Sequence, residues 1–185
     1  MEQFLFFSVI VLWGLFLLNF FLLFLLFRQF GEIYLSSGDG IAKDGLPIGK
    51  SLPKDDRIYS MKEKQHVYLQ EHITKSSLLV FVSSNCKPCQ QLLREWNSAY
   101  HSNQHMINCM IVFIGEDNKV QDLIRKYSPE GQLFWDRNDS LFHRFKIRVT
   151  PFAIAIDEQG IVRDKGLCGT KEQINMYAQS ILKDG

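Results

Sequence analysis

The motif Cys86-Lys87-Pro88-Cys89 constrains this chain most strongly, because of the pattern on either side of it. It follows an apolar, β-rich run from Ser77 to Ser83 and begins a helical pattern. A helix that begins at Cys86 directs unpaired backbone N–H groups and the positive end of its dipole at the sulfur, which favours the thiolate. We therefore predict that Cys86 is a nucleophile. Cys89, one turn further along, is predicted to resolve a mixed disulfide formed at Cys86.

Two cysteines at this spacing can also be half of a zinc site. Such a site needs a second pair of Cys or His ligands, whereas Cys109 and Cys168 stand alone. His101 and His105 are four residues apart, but they lie in a polar stretch typical of a solvated helix end. The pattern favours a redox pair, with no metal and no cofactor.

The run from Phe4 to Phe27 contains no charged residue. As a helix it would be about 36 Å long, which is enough to cross a bilayer. A cleaved signal peptide is the alternative, but it usually has early basic residues, a shorter apolar stretch and a small-x-small cleavage site, and this segment has none of these. We predict a short flank over residues 1–3 and a retained transmembrane anchor over residues 4–27, in contact with membrane lipid.

The orientation of the anchor rests on two opposing considerations. The positive-inside rule would place Arg28 in the cytoplasm, but the bias amounts to one or two charges, and a folded domain translocates largely regardless of so small a bias. A tethered dithiol pair is most useful where disulfides persist, which is outside the cytoplasm. We expect a single-pass protein of the cell membrane with an extracytoplasmic catalytic domain.

The rest of the chain is long enough for one ordinary domain. The 21 basic and 20 acidic residues are intermixed, with a net charge of +1, which argues against a nucleic-acid partner. Glycine and proline are concentrated toward the end of residues 28–53, which we predict to be a connector. Residues 54–185 are then the globular domain.

Strand and helix patterns alternate along this domain and predict an α/β fold. Predicted strands are Leu78 to Val82, Met106 to Ile114, Gln132 to Trp135, Phe152 to Ile156 and Ile161 to Arg163, with a possible short strand around Val67 to Leu69. Predicted helices are Pro88 to Tyr100, Asn118 to Tyr127, Ser140 to Phe145 and a last helix that Thr170 and Gln173 begin with a capping box.

The chain resembles the thioredoxin fold in its CxxC motif, in Val149-Thr150-Pro151 before a hairpin, and in the order of its elements. The resemblance implies a central mixed sheet flanked by helices. It also implies that Pro151 is a cis proline beside the CxxC, and that the backbone of Thr150 binds an extended substrate segment. An ordinary turn proline is the alternative interpretation of Pro151.

Within that fold, the chain is similar to the membrane-tethered TlpA/ResA/MauD branch. The similarity rests on the anchor, on Ile48 to Pro53 and on Leu79 to Cys86, and the segment Arg28 to Tyr34 is closest to the MauD type. That resemblance implies disulfide formation or isomerisation in an exported protein. The expected partners are exported protein thiols or disulfides and a membrane redox partner.

The chain departs from soluble thioredoxins at two positions. Val80 stands where they have a buried Asp, and Asn85 replaces the aromatic residue that commonly precedes the first cysteine. Lys87 and Pro88 are predicted to support the site, although Lys87 could equally be a solvated loop residue. A thiolate stabilised by Lys87 makes the reduced form favourable and the disulfide more oxidising.

The remaining cysteines are expected to be free thiols, with Cys109 in the core and Cys168 potentially exposed. A bridge between them stays open as an alternative, because four cysteines permit three pairings.

Other functions also fit parts of the pattern. The same site could act as a thiol reductase of the apocytochrome-maturation type. A copper-binding chaperone with His143 as a third ligand fits less well, because such carriers usually separate their cysteines by three residues. A structural anchor protein is the remaining alternative.

Overall fold

The computed structural model describes the backbone of residues 2–42 and 44–183. These residues form two units, divided after Ala42.

The first unit is one long helix, α1, which spans Glu2–Ala42. Its segment Phe6–Leu25 is long and apolar enough to cross a membrane, with a mean hydropathy of 2.5 and no buried residue. The expected apolar helix is therefore present, while its insertion in a membrane stays a prediction.

Helix α1 continues past Phe27, where the transmembrane anchor was predicted to end. The chain has no proline before Pro47, and isolated glycines are tolerated in a helix at about 1 kcal/mol each relative to alanine. The glycine-rich composition of residues 28–42 therefore does not stop the helix.

The second unit is built on a seven-stranded sheet with the order β2-β1-β5-β4-β3-β6-β7. The strands are β1 Arg57–Ser60, β2 Gln65–Tyr68, β3 Ser77–Ser83, β4 Asn108–Ile114, β5 Gln132–Asp136, β6 Phe152–Ile156 and β7 Val162–Leu167. The helices are α2 Lys87–Asn103, α3 Asp117–Tyr127, α4 Ser140–Arg144 and α5 Lys171–Lys183, with a 3-10 turn at Leu69–His72. Strands β3, β4 and β5 are parallel and the other pairs antiparallel, which confirms the predicted mixed sheet flanked by helices.

The register of the parallel strands determines where the chain leaves the sheet. Ser83, Ile114 and Asp136, the last residues of β3, β4 and β5, lie side by side. The chain therefore leaves all three strands at one edge of the sheet, which we call the carboxyl edge. Open α/β sheets commonly bind their ligands at such an edge.

The core lies on both faces of β3, because its residues 78–82 are apolar and fully buried. Val80 packs with the apolar stripe of α2, which includes Leu92 and Trp96, and with Ile174 of α5. On the opposite face Phe81 lies edge-on to Phe145, with ring centroids 5.8 Å apart. Helices α2 and α5 thus pack on the same apolar face of the sheet.

The segment 44–53 packs on the second unit, although it was predicted to be connector. The Gly45 N–H donates to the Lys146 carbonyl at 3.2 Å, and the Leu52 N–H donates to the Gly160 carbonyl at 2.9 Å. Leu52 is buried. The second unit therefore begins near Asp44 and not at residue 54.

The hairpin of β1 and β2 also differs from the prediction, because the sequence indicated only one possible strand in this polar stretch. Each strand has four residues, and Ile58 and Val67 are paired and buried while Arg57, Gln65 and His66 are exposed. So short a buried row leaves little hydrophobic periodicity to detect.

Candidate functional site

Cys86 is the N-cap residue of α2, so the helix begins at the sulfur as predicted. Its Sγ accepts a hydrogen bond from the Cys89 N–H at 3.2 Å. Pro88 lies in the first turn and has no N–H, so it adds no competing donor. A thiolate at Cys86 would therefore receive a backbone N–H and the positive end of the α2 dipole.

The two cysteines are joined by a disulfide but differ in access. Cys89 is fully buried, whereas Cys86 is half-buried and Lys87 and Pro88 are exposed. An external sulfur can reach only Cys86, which fits the roles predicted for the pair.

The Thr150-Pro151 peptide bond is cis, as the resemblance implied. The Cys86 Sγ lies 3.3 Å from the Thr150 carbonyl oxygen, and Pro151 is buried. Within residues 44–183, the main chain of Thr150 makes no backbone hydrogen bond. The backbone beside the sulfur is therefore open to pair with an extended segment of another chain.

The loop before Pro151 is held in place by residues at the start of the second unit. The buried Asp44 carboxylate accepts a hydrogen bond from the Arg148 Nε at 2.5 Å. The Gly45 N–H bonds to the Lys146 carbonyl. These contacts hold residues 146–148 beside the Thr150 backbone.

The turn between β3 and Cys86 depends on a close approach that sequence analysis missed. The Ser84 N–H donates to the Ile114 carbonyl at 2.9 Å, so the turn stays on the sheet. Gly115 next to it has φ +120°, and a Cβ there would lie 2.2 Å from the Ser84 Oγ. A glycine directly after a buried parallel strand was the available indication of this contact.

Cys109 and Cys168 are both free thiols, as expected. Burial raises the pKa of each to about 12. The expectation that Cys168 could be exposed is wrong, because it packs in the same apolar cluster as Ile174 and Tyr177 of α5. Neither thiol is suited to chemistry at neutral pH.

Val80 is fully buried in β3, so the position where soluble thioredoxins have an Asp brings no carboxylate under the CxxC. Among the described residues, no group of three or more His, Cys, Asp or Glu side chains could hold a metal ion. His143 is exposed on α4.

Comparison with known proteins agrees with this geometry. Residues 74–162 match a family model described as thioredoxin-like. The thioredoxin domain of a thiol-disulfide oxidoreductase from Bacteroides vulgatus superposes with a TM-score of 0.63, at 17% identity, over 74% of this chain and 99% of that one. At this identity the structural likeness establishes the fold.

The thioredoxin-like fold with paired cysteines at the α2 N-terminus is similar to that of thiol-disulfide oxidoreductases. Nearly the whole chain is also similar to the methylamine utilization protein MauD. It is 24% identical to MauD of Methylophilus methylotrophus over 181 residues, covering 94% of this chain and 82% of the relative. It is 25% identical to MauD of Methylobacillus flagellatus over 174 residues, covering 90% and 82%.

Proposed function

We propose that this protein is a membrane-tethered, extracytoplasmic oxidoreductase that forms or isomerises disulfides in exported proteins. One observation carries the proposal: a half-buried Cys86, bonded to a buried Cys89, faces the open backbone of Thr150. This arrangement suits a protein client, because an extended segment can pair with Thr150 while its sulfur meets Cys86.

Disulfide formation follows from two exchanges. A client thiolate attacks the Cys86 sulfur, the Cys86–Cys89 bond breaks, and Cys89 leaves as a thiolate. A second client thiolate attacks the client sulfur of the mixed disulfide, and Cys86 leaves as a thiolate. The client loses two electrons and the protein gains them, to be passed to a membrane redox partner.

Isomerisation uses the same atoms in a different order. The Cys86 thiolate attacks a client disulfide and releases one client thiolate, which can attack another disulfide in the same client. The client thiolate released by that exchange attacks the client sulfur of the mixed disulfide, and Cys86 leaves as a thiolate. Cys89 remains a free thiol next to Cys86. It can attack the Cys86 sulfur of the mixed disulfide and release a client that does not rearrange. Pro151 and Thr150 align the client strand in either reaction.

The local electrostatics favour an oxidising pair. The helix N-terminus and the exposed Lys87 both stabilise a thiolate at Cys86. Stabilising the reduced form makes the disulfide a better oxidant. The chain is similar to MauD along nearly its whole length, and the resemblance to that branch implies a client among exported proteins.

The proposed location rests on α1. Its segment Phe6–Leu25 has the length and composition of a membrane span, and we propose that residues 4–27 contact lipid. The positive-inside bias at Arg28 is too small to oppose translocation of a folded domain. The redox partner is then expected in the same membrane, where it can reoxidise Cys86 and Cys89.

The test is to trap clients in cells with full-length Cys89→Ser. Without the resolving thiol, mixed disulfides at Cys86 should accumulate and appear as high-mass species that a reductant removes. The double variant Cys86→Ser/Cys89→Ser is the matched control and should trap nothing. Adducts made mainly of exported proteins support the proposal, whereas adducts made mainly of cytoplasmic proteins, or none, contradict it.

A further inference from the structure

Arginine side chains lie against aromatic rings where β1 and β5 meet the carboxyl edge. The Arg137 guanidinium lies over the Tyr59 ring at 3.9 Å and over the Trp135 ring at 4.5 Å. The Arg57 guanidinium lies over the Tyr68 ring at 4.7 Å. We call these five residues the arginine–aromatic strip.

The strip is held in place by the sheet. Tyr59 and Trp135 are opposite each other in the β1–β5 pair, and Arg57 is opposite Tyr68 in the β1–β2 pair. The Trp135 indole N–H donates to the Gly115 carbonyl at 3.1 Å, which fixes the ring under Arg137. The surface is therefore formed before any ligand arrives, so less ordering entropy is lost on binding.

The strip and Cys86 share the carboxyl edge. Arg137 directly follows Asp136, which is level with Ile114 and Ser83 across the three parallel strands. Strands β5 and β3 are two strand spacings apart, roughly 10 Å. Thr150 precedes β6, on the other side of β3. Arg137 and Cys86 therefore lie near each other on one edge, within reach of residues that are a few positions apart in an extended client.

The charge of the strip is not neutralised by its neighbours. Within residues 44–183, neither Arg57 nor Arg137 forms an ion pair, whereas Arg144 and Arg163 do. Two acidic neighbours, Asp136 and Glu116, are paired with other groups. The Asp136 carboxylate accepts hydrogen bonds from the N–H groups of Ser140 and Phe142 at the start of α4, and Glu116 pairs with Lys119.

The Arg57 guanidinium donates a hydrogen bond to the Tyr68 hydroxyl, whereas the exposed Arg137 guanidinium has no hydrogen-bond or ion-pair partner within residues 44–183. The N–H groups of Arg137 can therefore bind a carboxylate with two hydrogen bonds. We propose that the arginine–aromatic strip is a client-recognition subsite for an acidic side chain near the client's reactive cysteine. This inference rests on the proposed function, because it assumes a protein client at Cys86. At about 3.3 Å per extended residue, the acidic residue lies about three or four positions from the cysteine.

The test uses the reduced full-length protein in detergent and matched peptides. Each peptide carries one cysteine as a mixed disulfide with thionitrobenzoate and a Glu, Gln or Lys four residues to either side. The Cys86 thiolate attacks the peptide sulfur, and the sulfur–sulfur bond breaks with thionitrobenzoate as the leaving thiolate. Cys89 then displaces the peptide thiol, and the released thionitrobenzoate is followed by absorbance.

On one side of the cysteine, the Glu peptide should react about fivefold faster than the Gln peptide at low salt, and the Lys peptide more slowly than both. The Glu preference should shrink as salt is added. In Arg137→Gln the Glu and Gln peptides should react at equal rates, with the rate of the Gln peptide within about twofold of wild type. Arg137→Lys keeps the charge and should keep part of the preference.

Arg125→Gln is the matched control, because it removes the same charge. Arg125 lies in the last turn of α3, which begins at the carboxyl edge and runs away from it, and it pairs with Asp122 at 3.2 Å. Its Glu preference should equal that of wild type. Equal rates for Glu and Gln peptides with the wild-type protein, or a preference that survives in Arg137→Gln, overturn the subsite alone. Failure of every peptide to react with the wild-type protein overturns the proposed function with it.

Discussion

The Cys86 sulfur lies 3.3 Å from the Thr150 carbonyl oxygen, although 64 residues separate them in the chain. The contact follows from strand pairing: β3 and β6 are antiparallel, with Phe81 opposite Phe152. The turn after β3 and the residues before β6 must therefore lie side by side. Under the proposed function, a client bound along the Thr150 backbone would bring its sulfur to Cys86.

Replacing Gly115 with alanine should destabilise the protein and slow the chemistry of Cys86. The new Cβ would occupy a position 2.2 Å from the Ser84 Oγ, at a φ of +120° that side chains rarely adopt. We expect a loss of about 2–4 kcal/mol in the free energy of unfolding, measured by urea denaturation in detergent. We also expect slower alkylation of Cys86 in the folded, reduced protein, because Ser84 must shift.

Gly49→Ala is the control for backbone strain without a clash. Gly49 has φ +83°, and no atom lies within 4 Å of an added Cβ. It should lose only about 1 kcal/mol and leave Cys86 reactivity unchanged. An equal loss in both variants would show that the contact with Ser84 has no part in the effect.

Alkylation should distinguish the four cysteines of the reduced, folded protein. Burial holds the pKa of Cys109 and of Cys168 at about 12, and Cys89 is fully buried. Iodoacetamide at neutral pH should therefore add a single group, at Cys86, and four groups after denaturation, as read by mass spectrometry. Modification of Cys168 as fast as Cys86 would contradict the burial described for it.

The contribution of Asp56 to the free energy of unfolding should increase as the pH falls, whereas that of an ordinary paired carboxylate decreases. Burial raises its pKa above 3.8 and outweighs the Arg144 guanidinium, with which it pairs. Its Oδ2 has no hydrogen-bond partner among the described residues. With the folded pKa above the unfolded one, the folded state binds the proton more tightly, so lowering the pH through the folded pKa toward 3.8 adds stability.

The comparison is with Asp56→Asn, which keeps the shape and cannot titrate. The free energy of unfolding of wild type minus that of Asp56→Asn should rise as the pH falls through this window and stay level on either side of it. If the difference instead decreases as the pH falls, the ion pair with Arg144 outweighs the effect of burial, and the folded state favours the charged carboxylate.

Lys87→Gln should make the Cys86–Cys89 disulfide less oxidising. Lys87 is exposed beside the nucleophile, and its loss removes a charge that stabilises the thiolate. An exposed charge of this kind contributes on the order of 0.5 kcal/mol, so the potential should fall by about 10 mV. Lys126→Gln, at the far end of α3, should leave the potential unchanged. An equal shift in both variants would indicate a general charge effect.

The site was predictable from sequence where local and long-range patterns agree. Cys86 is at a strand-to-helix junction that periodicity reveals, and Pro151 precedes a hairpin whose first strand, β6, is a continuous apolar run. Each pattern extends over many residues, so the element boundaries lie within a few residues of those predicted. The cis bond at Pro151 came from the resemblance to the thioredoxin fold, because nothing local to the residue requires it.

What sequence analysis missed depends on contacts between distant segments. Segment 44–53 appeared to be a connector because it is rich in glycine and proline, yet Leu52 is buried and its N–H bonds to Gly160. Ser84 and Gly115 meet only because β3 and β4 end level with each other. Arg137 is an ordinary surface residue in the sequence until the β1–β5 pair brings Tyr59 beneath it.

The reduction potential of the Cys86–Cys89 pair tests the proposed direction of the chemistry most directly. The full-length protein would be equilibrated in detergent with glutathione buffers of known ratio, and the fraction of Cys86 in the disulfide read by alkylation and mass. The proposal predicts about −120 to −180 mV, in the range of oxidases and isomerases. A value near −270 mV, typical of thioredoxin, would contradict it and indicate a reductase that draws electrons across the membrane.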